Sequence, residues 1–98
     1  MKGDWRDVLL FDPLGSHVDG TVISSATTLT PPAAATKLLI QAMAQNIRIT
    51  FDGTTPTATT GFQLKAEDPM LLIPLGDAMV IKVIEEAATA DIQYQWAI

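Results

Sequence analysis

His17 is the one histidine of the chain, and Asp12, Ser16, Asp19, Ser24 and Ser25 lie close to it in sequence. A carboxylate that orients an imidazole, which in turn activates a hydroxyl, is the arrangement of nucleophilic catalysis. The spacing singles out none of the three serines, and a lone histidine beside a Gly-containing turn reads as a solvated loop residue. Adjacent carboxylates occur at Glu67-Asp68 and Glu85-Glu86. Neighbours in extended chain point to opposite sides, so neither pair is set up for shared acid–base work, and both fall where turns are expected. Asp12, His17, Asp19 and Asp52 offer oxygen and imidazole ligands, but no spaced motif joins them, and Asp-Pro and Asp-Gly favour turns for backbone reasons. The six glycines are isolated, so no phosphate-cradling loop is present. The expectation is a protein that is not an enzyme, with no metal site and no cofactor.

Aromatic rings are the other candidates, because Trp and Tyr faces can stack on sugars. Tyr94 and Trp96 share the period-2 register of Ile92, which predicts that they fill a core instead. Trp5 stands among Asp4, Arg6 and Asp7, outside any convincing strand. It is the side chain best suited to anchor in a partner subunit.

The elements that would position these residues come from a chain of 98 residues, enough for one domain with a thin core. Its six basic residues are scattered singly against a net charge of −5, so no cluster exists to neutralise phosphates and direct nucleic-acid binding is not expected. No cysteine is present, which excludes a disulfide or thiolate site. No apolar run approaches the ~18 residues of a membrane span, and residues 8–11 are too short for a signal core. A soluble protein without a membrane partner or an export signal of its own is expected. A low charged fraction of 17% with many Thr and Ala gives weakly polar surfaces suited to burial against neighbours.

Short apolar segments separated by turn residues predict an all-β protein: a single small β-sandwich over residues 1–98, with seven or eight short strands. Jelly-roll-like wiring is one arrangement open to it. The clearest segment is residues 46–52, where Ile47, Ile49 and Phe51 alternate with Asn46, Arg48, Thr50 and Asp52. Asp52-Gly53 breaks the pattern, and a Thr/Pro/Ala loop follows before Phe62 and Leu64 resume it. Residues 7–11 form a first strand, stopped by Asp12-Pro13-Leu14-Gly15, and residues 17–25 a second, interrupted at Asp19-Gly20. Pro31-Pro32 marks a loop or edge. Residues 36–45 have helical composition but strand-like alternation, and we read them as a strand. The inward parity then changes between Ala44 and Ile47, which requires a bulge or sharp bend. Further strands are expected at 61–66, 70–73, 78–84 (the most hydrophobic, hence central) and 91–98.

Partner contacts are assigned to the loop Asp52, Gly53, Thr54, Thr55, Pro56 and Thr57, and to Trp5 and Arg6 on an N-terminal arm of residues 1–7. The loop backbone offers donors and acceptors, and Pro56 lowers the ordering cost.

The stretch LLIQAMAQNIRITFDGTTPTATTGFQLKAEDP resembles a set of short virion proteins of tailed bacteriophages. In that family an alternating strand leads into Asp-Gly-Thr-x-Pro-Thr-Ala, then Gly with a hydrophobic residue, then a turn. A phrase like IKVIEEAATA follows, leading into a last strand, here DIQYQWAI. The likeness covers about residues 38–98 and rests on Ile47, Arg48, Asp52, Gly53, Thr54, Pro56, Thr57, Ala58, Gly61, Ile81, Ile84, Glu85 and Ala87. It implies a small β-sandwich made in the host cytoplasm that resides in the virion and performs no catalysis. The commonest role it implies is capsid cement or decoration: binding the outer shell, as a homo-trimer or homo-dimer, and clamping adjoining major capsid proteins. The alternatives are a tail, neck or fibre-associated component, or a sandwich that binds carbohydrate on a host surface.

Overall fold

Alternation of apolar and polar residues sorts residues 12–98, the part that the computed structural model describes, into eight strands. They are β1 (Pro13–Val22), β2 (Thr27–Leu29), β3 (Lys37–Ala42), β4 (Ile47–Thr50), β5 (Phe62–Leu64), β6 (Leu71–Pro74), β7 (Ile81–Glu85) and β8 (Asp91–Ala97). The first strand pairs with the last, the second with the seventh, β3 with β6 and β4 with β5, every pair antiparallel. The chain is therefore one long hairpin with its tip between β4 and β5. Rolling that hairpin adds the pairs β3·β8 and β4·β7 and gives two four-stranded sheets, β1-β8-β3-β6 and β2-β7-β4-β5. This is jelly-roll wiring, within the all-β sandwich expected from the sequence.

Inward positions on the two sheets meet in one interior. Leu38, Ile40, Ala42, Ile92 and Trp96 of the first sheet pack with Leu29, Ile47, Ile49, Ile81 and Val83 of the second. Each large aliphatic side chain buried this way contributes about 1.5–3 kcal/mol relative to exposure. The parity change between Ala44 and Ile47 also has its cause here. β3 belongs to the first sheet and β4 to the second, and residues 43–46 are the bend between them. Asn46 holds that bend from both sides, its carbonyl accepting from Glu86 N–H at 3.0 Å and its Oδ1 from Ala66 N–H at 2.8 Å.

Several sequence expectations need correction. Asp12-Pro13-Leu14-Gly15 does not end a strand, because Pro13, Leu14 and Gly15 belong to β1. An edge strand tolerates proline at its first residue, and register shifts flank Gly15 and Gly20, which take φ of +78° and +74°. These glycines make bulges in one long edge strand where turns were expected. That strand stops at Val22, short of residue 25; Ile23 is fully buried, and the following bend carries the chain into β2, a strand the pattern had not suggested. Leu39 points away from the interior opposite Gln95 and Leu72, yet is only 6% exposed. The expected strand at residues 7–11 lies outside the described residues. β7 is interior to its sheet, as its hydrophobicity requires.

Candidate functional site

The connection from β4 to β5 starts where the alternating strand runs out. Gly53 turns the backbone with φ +86°, and its N–H donates to Val80 O at 3.2 Å while Val80 N–H donates to Phe51 O at 2.9 Å. The Asp52 carboxylate then accepts the Thr54 N–H at 3.0 Å, a local turn of the kind short acidic side chains make. Thr50, on the outer side of β4, is 7% exposed because the loop folds over it, and its hydroxyl donates to Thr54 O at 2.6 Å. Pro56 is fully buried. Its side chain therefore anchors the loop to its own domain, and the groups left to meet a partner are the neighbouring threonines. Thr57 and Thr60 exchange backbone hydrogen bonds at 3.1 and 3.2 Å around the exposed pair Ala58-Thr59. The loop is thus a folded projection, tied down at three points.

Beside it opens a cleft of about 430 Å³ lined by Thr50, Phe51, Asp52, Thr54, Thr60, Gly61 and Phe62. Phe51 and Phe62 form its apolar wall, with ring centroids 5.8 Å apart and planes inclined by 38°. Phe62 pairs with Ile49 in register and so shares its face, but β5 is an edge strand and the ring is 69% exposed. Gly61 sits at φ +121°, and a Cβ there would come within 3.1 Å of Ile49 O.

On the outer face of the same sheet, Arg48 Nε donates to Glu86 Oε2 at 2.6 Å and Nη1 to Gly61 O at 3.0 Å. Gln63 Nε2 donates to the same Glu86 oxygen at 2.8 Å. Partial desolvation pushes the Glu86 carboxyl up, but hydrogen bonds from Gln63 and Arg48, the Arg48 charge and a hydrogen bond from Asn46 together hold it below the usual glutamate range. Asp52 is held low by hydrogen bonds from the Thr54 side chain and backbone. Both pKa values are lower in the folded state than in the unfolded state, so their stabilisation is present above the unfolded values and is lost as pH falls through the folded ones. We expect Glu86→Gln to melt below the wild type at pH 7 and the gap to narrow as pH falls below the usual glutamate range and Glu86 takes up its proton. Melting temperatures measured from pH 7 to 3 check this; a gap that does not change with pH contradicts it.

The other candidates disperse. His17 lies in strand β1 and not in a loop, with Nε2 2.9 Å from Gln93 Oε1, and bonds to no serine. Glu67 and Asp68 shape a turn, Glu67 with φ +64° and Asp68 O accepting from Gln41. Glu85 closes β7 and accepts the Ala90 N–H, while Glu86 serves Arg48. Among the described residues no three His, Asp or Glu side chains gather as metal ligands. Trp96 is 8% exposed and Tyr94 packs against the same core, edge to face with it, so they form no outward sugar platform. Trp5 and Arg6 lie outside the described residues. The Arg48–Glu86–Gln63 cluster was not read from the sequence, because 38 residues separate its charged partners and alternation says only that Arg48 faces water.

Family models, curated proteins and solved structures were all compared with the chain, and none matches it.

Proposed function

We propose that the chain is a structural virion protein of a tailed bacteriophage, a capsid cement protein that binds the outer shell as a homo-trimer or homo-dimer and clamps adjoining major capsid proteins. The observation that carries this reading is where the chain spends its side chains. The interior holds packing groups, the buried polar atoms of the described residues all have partners, and a tied-down loop projects beside an exposed aromatic ring. Large apolar groups also face outward at Val22, Met70 and Val80. A surface of this kind suits contact with other polypeptides. Repetition over a shell multiplies modest contacts when several faces of one copy engage together.

Co-sedimentation of the purified protein with capsid shells, followed by copy counting per particle, tests the proposal. Saturable binding at hundreds of copies per shell is the expected outcome. A few copies located at the tail or neck would move the protein to that part of the particle, and no affinity for either would end the proposal. Removal of residues 1–6 is expected to weaken shell binding; unchanged binding and oligomer size would remove the arm from the contact.

A further inference from the structure

We infer that the cleft between Phe62 and Asp52 seats a basic side chain, an arginine, presented by the partner protein. This deepens the proposed function and rests on it for the partner's identity alone. Three observations converge. Phe62 leaves most of its ring in water at a position where folding gains little from it, and the Phe51 ring beside it extends the apolar wall. Asp52 lines the same cleft; one of its carboxylate oxygens accepts the Thr54 N–H, and no Lys or Arg of the described residues lies within ion-pair distance of it. The nearest basic group on β4, Arg48, is already engaged by Glu86 and Gly61 O.

An apolar wall in a cleft that an acidic residue also lines complements a side chain that is apolar along its stem and positive at its tip. Guanidinium suits the site better than ammonium, because its weakly hydrated plane stacks on an aromatic face while its N–H groups reach a carboxylate. Thr54 and Thr60 also line the cleft. An acidic partner group would meet Asp52 and be repelled.

The probe is N-acetyl-arginine amide, titrated into isotopically labelled protein, with N-acetyl-glutamine amide as the uncharged control. Saturable amide shifts confined to Gly53, Thr54, Gly61 and Phe62 are expected, at least fivefold stronger for the arginine probe. Asp52→Asn keeps an oxygen for the Thr54 N–H, and Phe62→Ala removes an exposed ring, so both variants fold; each should weaken the response at least threefold. Equal response to the two probes, or wild-type binding by both variants, overturns the assignment. Shell binding separates the two levels. If wild type and both variants bind shells alike, the cleft is not the contact and the cement proposal stands. If arginine seats in the cleft and no shell is bound, the cleft stands and the cement proposal fails.

Discussion

Trp96→Ala is expected to lower stability by about 3–5 kcal/mol, the usual cost of truncating a buried aromatic ring. For a domain of this size each kcal/mol moves the melting point by roughly 4–8 °C, so circular dichroism melts should fall by well over 10 °C. Trp96 lies opposite Leu38 on one neighbouring strand and Leu14 on the other, and its ring meets Tyr94 edge to face. Truncation leaves a void between three strands that cannot close without moving the sheet. Phe62→Ala removes a smaller aromatic ring, but from a position 69% exposed, and should cost less than about 1 kcal/mol. Two aromatic truncations with opposite outcomes separate a ring that builds the fold from one available to a partner. Equal costs would contradict the packing described above.

Gly61→Val is expected to lower stability by about 2–4 kcal/mol, combining an unfavourable backbone with overpacking. The φ of +121° lies outside the left-handed region that Asn or Asp can occupy, and the new Cβ meets backbone of Ile49 and the Cβ of Arg48 at 3.1–3.2 Å. Backbone in the middle of a sheet cannot step aside as a flexible side chain would. The same residue supplies the carbonyl that Arg48 grips, so the variant should also loosen the Arg48–Glu86 cluster. Gly20→Asn is the control: its φ of +74° suits asparagine and its surroundings are open. Thermal melts of the two variants check the contrast, and a Gly61→Val protein as stable as Gly20→Asn would sink the explanation.

Local pattern made much of this fold legible. Alternation in residues 46–52 and 91–98 marked β4 and β8 and the rings that they bury, and the parity break after Ala44 located the passage from one sheet to the other. Information that is not local stayed hidden. A positive-φ glycine in a bulge and one in a turn look alike in sequence, so Gly15 and Gly20 suggested breaks in what is one edge strand. β2 has three residues, too few to display a period. Phe62 keeps its alternation but lies at an edge, and edge position follows from pairing, which the pattern does not encode. The loop was visible as a projection; that Pro56 is its internal anchor depends on which surface it folds over.

The rolled hairpin has a further consequence, for the order in which the molecule is made. Pro13 finds Ala97 only across almost the whole chain, whereas the strands of Ile49 and Phe62 are joined by residues 51–61 alone. Loop-closure entropy favours the near pairing first and makes topologies dominated by distant pairings slow to form. Assembly is therefore expected to close from the tip towards the ends. Until β1 arrives, β8 waits with one edge bare, and in that interval a neighbouring copy's strand can occupy the vacancy.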